Sequence, residues 1–410
     1  MTTAEGALAG VRVLDLSRVL AGPWCAQILG DLGADVIKVE RPGKGDEARS
    51  YGLATKAVDG RATPAPMHIV ANRNKRSITV DMATAEGAKL IAELARQCDI
   101  VVENFLPGKL ARFGLDYETL SHDNPGLIYC SITGFGQTGP LADRPGYDAV
   151  FQAHGGLMSV TGHPDEVPGG GPMKTGPSIV DVATGYVATV GILAALAHRQ
   201  RTGQGQYVDA SLLDTVIGLQ SSIVQTYLIS RDLPERKGTS GNGGHPARVF
   251  KCADGDLYIS AGHQQHYVSL CDVLGLGHLI DDPRFADNRL RFANREQWNE
   301  EAGPTIAEWS KRDLLAALAD ANVPAALVNN YEEVFSDPQV LARNIEIEIE
   351  NPLDSEGRIA TIASAIRLSQ TPVQYRRTPP ELGAHTDEIL REILDYGPER
   401  IAALRAARAI

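Results

Sequence analysis

Val11–Glu40, VRVLDLSRVLAGPWCAQILGDLGADVIKVE, decides the fold class. Val11–Leu16 is a short apolar run with the look of a buried strand, and Val36–Glu40 is a second. Between them Cys25–Leu32 reads as a helix closed by Gly33. A strand, a helix and a second strand ending in an acid open many dinucleotide-binding sheets. The Gly-rich fingerprint is missing, however: SRVLAGPWCAQ contains no GxGxxG, and Glu40 is followed at once by Arg41. A nicotinamide enzyme is therefore disfavoured.

The alternation continues outward. Ala83–Arg96 reads as a helix, Ile100–Glu103, Leu127–Ile132 and Tyr207–Ala210 as strands, and Leu212–Ile229 as one long apolar helix. Apolar strands alternating with helices predict an α/β fold, a parallel sheet covered on both faces. Arg231–Pro246 turns charged and then Gly-rich, as a linker or a flap does. A second unit follows, with strands near Ala247–Lys251, Leu257–Ser260 and Asn322–Asn329 around helices running to about Ala319. The tail carries strands at Ile345–Ile349 and Ile359–Ile366 and an amphipathic helix, Thr386–Leu394. At 410 residues two domains are expected.

With 43% hydrophobic and 22% charged residues the composition is that of a globular protein. The net charge of −12 argues against nucleic acid and against an anionic membrane surface as partners, but leaves room for a local basic pocket. Five scattered cysteines without a CxxC pair read as reduced thiols of a cytoplasmic protein. No 18-residue apolar run and no signal-peptide layout is present, and no His, Cys or Asp cluster has metal-ligand spacing.

Lys174–Leu196, KTGPSIVDVATGYVATVGILAAL, carries a single acid, Asp181. Val182, Tyr186, Val190, Leu193 and Ala197 recur at helical spacing, so Asp181 falls in or just before a first turn, where the helix dipole favours an ionised carboxylate. Either Ser178 or Asp181 caps the helix, or Asp181 is a nucleophile flanked by small residues; local chemistry leaves both open. Ala71–Val80, ANRNKRSITV, gathers Arg73, Lys75 and Arg76 beside Asn72, and reads either as a solvated turn or as a phosphate site. Arg41, Asn104 and Arg112 could add to it, Arg41 and Asn104 lying at the carboxyl ends of strands. Gly134–Gly139 and Gly241–Gly244 are glycine-rich turns, the latter suited to a lid, and His154, His163 and His245 are candidate acid–base groups.

Taken together, several segments resemble one family, the class III CoA-transferases, which include formyl-CoA transferase and related acyl-CoA enzymes. They are VLDLSRVLAGPWCAQILGDLGADVIKVERP, NRNKRSITVDM, VVENFLPG, LARFGLDY, SITGFGQTGP, RPGYDAV, GLMSVTG, GPSIVDVATGYVATVGILAAL, RTGQGQYVDASLLD and GAHTDE, in the family's order along nearly the whole chain. The resemblance implies a Rossmann-like large domain built from residues 1–228 and 331–410, an inserted smaller α+β domain at 229–330, and an interlocked homodimer. It implies that Asp181 attacks an acyl-CoA, succinyl-CoA by family habit, and transfers CoA to a carboxylic acid through an aspartyl–acyl anhydride and an aspartyl-CoA thioester. Val19, Ala21, Arg41, Asn72, Arg73, Asn74, Lys75, Asn104 and Arg112 match its CoA contacts, CoA being substrate with no tightly bound cofactor. Gly241, Gly243 and Gly244 match a loop over the active site, and Gln137 and Tyr147 the substrate pocket. Departures are Leu20 where formyl-CoA transferase has Gln, Thr133 where it has Lys, and Gln137 close to where it has Glu, which disfavour formyl-CoA with oxalate. Tyr147, a poor base near neutral pH, stands where the family's racemases carry His, so transfer is favoured over racemisation, and the intact Asp181 segment argues against a non-catalytic CoA-binding role.

Overall fold

Successive strands joined through helices cannot close as hairpins, and they pair in parallel. In the computed structural model, which describes residues 5–52, 65–350 and 357–410, six strands form one sheet. They are β1 (Arg12–Asp15), β2 (Asp35–Glu40), β3 (Lys75–Thr79), β4 (Ile100–Glu103), β5 (Ile128–Thr133) and β6 (Gln206–Ser211). Their order is β3-β2-β1-β4-β5-β6, every pair parallel.

Side chains alternate across a strand, so the sheet feeds two cores. Val13, Val36, Ile100, Val102 and Cys130 pack under the helices Ala21–Asp31 and Ile179–Thr202. Leu14, Ile37, Val101 and Tyr129 pack on the other face, against Leu90, Ile91 and Leu94 of the Ala85–Arg96 helix. Ile389, Leu390, Ile401 and Leu404, from the two last helices Thr386–Leu394 and Pro398–Ala406, complete that second layer. The Ile179–Thr202 helix is long and apolar enough by composition to cross a bilayer, yet Val180, Ala188, Ile192 and Leu196 on one side of it lie in the sheet's core.

Two expectations change here. The run Leu212–Ile229 is two helices, Leu212–Leu219 and Ser221–Ser230, bent by 81°. Gln220 causes the break: its Nε2 donates to the Gly155 and Val216 carbonyls, ending the first helix, and Ser221 takes φ +33°. The basic stretch is also corrected. Asn72, Arg73, Asn74, Lys75 and Arg76 are buried, and their side chains are committed to the fold. Arg73 holds Asp31 at 2.6 Å, and Asn74 donates to the same carboxylate at 2.8 Å. Lys75 reaches Asp15, the Pro23 carbonyl and Asn72 Oδ1, each at 2.9 Å. Arg76 meets Asp35, Glu388 and Glu392. Charges this deep must be paired, and here each is paired within the chain, so these side chains are not available to phosphates.

The chain divides into two compact units, Met1–Leu157 with Thr175–Asp232 and Ala342–Ile410, and Met158–Lys174 with Leu233–Leu341. The second unit has its own antiparallel sheet, β7 (Ala247–Cys252), β8 (Gly255–Ser260) and β9 (Ala325–Leu327), over a core around Trp298, Tyr267 and Phe285. In the first unit β10 (Glu346–Glu350) and β11 (Arg358–Ile362) form a separate antiparallel pair.

Candidate active site

The chain runs from β1 to β2 and β3 on one side of the sheet and resumes at β4 on the other, so a crevice opens beyond the carboxyl ends of β1 and β4. The loop after β1 and the residue after β4 are stapled together. Arg18 N donates to Asn104 Oδ1 at 2.9 Å, and Asn104 Nδ2 donates to the Arg18 carbonyl at 2.7 Å. Val19 next to them has φ +70°, a left-handed conformation that a β-branched residue adopts only when its surroundings impose it. The Val19 amide donates to Asp46 Oδ1 at 3.0 Å, and Asp46 is held by the fully buried Lys38 at 2.9 Å. Burial alone would raise the Asp46 carboxyl, but Lys38 and the Ala48 and Val19 amides outweigh it and hold it well below the usual range.

Asp181 lies in the first turn of the Ile179–Thr202 helix, as its spacing predicts. The cap comes from elsewhere. Asp148 Oδ2, at the start of the Asp148–His154 helix, accepts the Val180 amide at 2.8 Å and the Asp181 amide at 3.1 Å. Ser178 makes no side-chain cap bond. Gln152 Nε2 donates to Asp148 Oδ1 at 2.5 Å, and Gln152 Oε1 accepts the Thr175 amide at 2.8 Å. The Asp181 carboxylate is thus spared the capping role. The helix dipole's preference for an ionised carboxylate is opposed here: burial, and then the neighbouring negative charge of Asp148, push it up to about 7.

Asp181 opens on a cavity of about 580 Å³ shared with Val19, Ala21, Asn104, Arg112 and Tyr147, and also with Leu20 and Thr133. Arg41 lines a neighbouring cavity of about 570 Å³ with Lys44, and Arg18, Glu47, Met82 and Phe105 contribute to both. One crevice therefore gathers seven of the expected residues, Val19, Ala21, Arg41, Asn104, Arg112, Tyr147 and Asp181. Gln137 does not join it; it lines a third cavity with Glu103, Ser131 and Tyr207, where burial pushes Glu103 up to about 7 against its bonds to Ser131 and the Phe105 amide. Gly241, Gly243 and Gly244 lie in the second unit, where Asn288 Nδ2 donates to the Gly243 carbonyl at 3.1 Å.

Among the described residues no histidine lines either of the first two cavities. His154 stacks edge-on against Phe135, and His163 belongs to the second unit. His245 faces Trp298, and burial, aided by Arg248, Arg295 and Arg291, pushes it down to about 3, leaving it neutral. Sequence patterns missed Asp148, Lys44, Lys109 and Arg144; only the segment RPGYDAV, quoted for its tyrosine, brought the first and last of them into view.

The family model for CoA-transferase family III matches residues 8–386. The chain is 43% identical over 394 residues to succinate–glutarate CoA-transferase of Agrobacterium fabrum, covering 96% of this chain and 97% of that one. It is 40% identical over 403 residues to succinyl-CoA:glutarate CoA-transferase of Homo sapiens, covering 98% and 90%. The crystal structure of a CAIB/BAIF family protein from Brucella suis superimposes with a TM-score of 0.83 at 40% identity, over 95% of this chain and 100% of that one.

Proposed function

The chain belongs to CoA-transferase family III and is a class III CoA-transferase; from that premise we propose that it moves CoA from succinyl-CoA to a carboxylic acid, with Asp181 as the covalent relay. The names of the two relatives, both with a glutarate acceptor, support this choice of donor and acceptor. The observation that carries the assignment of Asp181 is that Asp148 supplies the helix cap, so the Asp181 carboxylate faces the cavity with no structural duty.

Ionised Asp181 attacks the thioester carbonyl, the C–S bond breaks and CoA thiolate leaves, giving a mixed anhydride. The thiolate attacks the Asp181 carbonyl carbon, expels the donor acid and forms an aspartyl-CoA thioester. The acceptor carboxylate attacks that thioester, expelling thiolate and forming a second anhydride. Attack of the thiolate on the acceptor's acyl carbon releases the new acyl-CoA and restores the Asp181 carboxylate. No net proton or electron is exchanged.

We assign the pantetheine and thioester to the cavity of Val19, Ala21, Asn104 and Tyr147, and the nucleotide phosphates to Arg41, Lys44, Lys109 and Arg112 on the walls of the two cavities. Arg41→Ala should raise the acyl-CoA KM about 10- to 100-fold, the worth of a charged hydrogen bond, and affect the acceptor KM far less. An unchanged acyl-CoA KM would remove Arg41 from the site. The sheet order supports a Rossmann-like large domain made of the first and last parts of the chain, with the smaller unit inserted. Val187 (49% exposed) and Val190 (67%) on the long helix, with Ile229 (77%), leave an apolar surface that supports an interlocked homodimer. Five buried free thiols support a cytoplasmic site of action.

Because only ionised Asp181 is a nucleophile, kcat/KM should fall as pH drops below about 7. Asp148→Asn keeps an accepting oxygen for both amides but removes the negative charge, so this acid limb should move to lower pH. A limb that stays in place in the variant, while wild type titrates near 7, would show that Asp148 does not tune the nucleophile.

A further inference from the structure

Three cations lining the crevice are spoken for: Arg18 pairs with Glu47 at 2.7 Å, Lys38 with Asp46 at 2.9 Å and Arg49 with Glu40 at 2.6 Å. Five on the cavity walls have no carboxylate within ion-pair distance among the described residues, namely Arg41 and Lys44 in one cavity and Lys109, Arg112 and Arg144 in the other. In a chain with 51 acids against 39 Lys and Arg, such a gathering implies anionic ligands. An acyl-CoA brings about four negative charges on its diphosphate and 3′-phosphate, which the first four cations can balance. One cation is left over.

Arg144 also stands apart in place. Lys109 and Arg112 sit on and beside the turn Leu110–Phe113, next to Asn104 and Phe105. Arg144 sits on the nucleophile's wall, four residues before Asp148, whose carboxylate accepts the Asp181 amide; four residues span at most about 14 Å. The strap between them is fixed. Gly146 lies so close to the fully buried Phe151 that a Cβ there would come within 2.6 Å of the ring. A substrate carrying a second carboxylate enters a cavity lined by Asp181, with the buried Asp148 charge behind the Asp181 amide, and needs a cation to offset that negative field.

We propose that Arg144 binds the distal carboxylate of short dicarboxylic acids, as acceptors and as acyl groups, and so makes the enzyme selective for diacids. This rests on the transferase reading above. The guanidinium matches a carboxylate with two parallel hydrogen bonds, which lysine cannot reproduce.

The test compares acceptors of equal length, glutarate and pentanoate, with succinyl-CoA as common donor, so that the donor half-reaction cancels in the ratio of kcat/KM values. Wild type should prefer glutarate, and Arg144→Gln should lower the glutarate-to-pentanoate ratio about 10- to 100-fold, with Arg144→Lys intermediate. A ratio unchanged within threefold in Arg144→Gln, or equal losses for both acids, would overturn the assignment and make Arg144 a phosphate or surface group. Wild type that prefers pentanoate would overturn it while leaving the transferase reading intact. Wild type that forms a new acyl-CoA from no acid would take both readings down together.

Discussion

Asp181→Asn is expected to lose transfer by about 10⁴-fold or more, the scale of removing a covalent nucleophile, and to melt no lower than wild type. An amide of nearly the same size fits the same first turn, and the Val180 and Asp181 amides stay capped by Asp148. Stability follows from the direction of the shift. The carboxyl is raised in the fold to about 7, above its unfolded value of about 4. Its contribution to stability is therefore fully present below about pH 4 and lost as pH rises through about 7. At pH 8 wild type holds an ionised carboxylate beside Asp148, whereas the amide removes that repulsion, so the variant should match or exceed the wild-type melting temperature. Wild type treated with acyl-CoA and hydroxylamine should give a mass shift on the Asp181 peptide. Near wild-type turnover in the variant, or an adduct found only on another residue, would end the nucleophile assignment.

Lys75→Ala is expected to cost about 3–5 kcal/mol of folding stability, the range for leaving one member of a buried pair unpartnered. Both side chains of the Lys75–Asp15 pair are fully buried at 2.9 Å. Burial pushes the Lys75 amine down to about 8, with Asp15 opposing, so the pair is held against a strong desolvation penalty. Truncation would strand the Asp15 charge and leave the Pro23 carbonyl and Asn72 Oδ1 without their donor. Denaturant midpoints measure the loss, and the double variant Lys75→Met with Asp15→Asn should recover part of it. A midpoint change worth under about 1 kcal/mol, together with a raised acyl-CoA KM, would restore Lys75 to the ligand site.

These outcomes mark where local pattern stops being informative. Strands such as Ile100–Glu103 and the helix Thr386–Leu394 were legible to the residue, because their apolar period is set by the layer each one covers. The position of Asp181 in a first turn was legible for the same reason. The basic run was not, since its chemistry depends on partners far away in sequence: Asp31 for Arg73, Asp15 for Lys75, Glu388 for Arg76. A composition that looks solvated in isolation becomes interior once those acids arrive. Asp148 was hidden likewise, capping a helix 33 residues further on from the start of its own. The bend at Gln220 depends on a carbonyl 65 residues earlier, and no helical period records that.

The pairing of the chain's last part with β3 bears on how the protein is made. β3 is the outer strand of the sheet, and its neighbours on that flank are the tail: the Asn74 amide donates to the Arg377 carbonyl, Ser77 N to His385 Nδ1 and Thr79 N to Thr386 Oγ1. Ser77 and His385 are 308 positions apart. At a synthesis rate of roughly 5–20 residues per second, the ribosome needs about 15–60 s to deliver the second after the first. During that interval the nascent sheet has an open flank, and Arg76 lacks Glu388 and Glu392. The first strands to emerge are thus among the last to be sealed, and a chain released before its final helices would carry an exposed strand edge beside an Arg76 left with Asp35 as the one remaining partner of its three carboxylates.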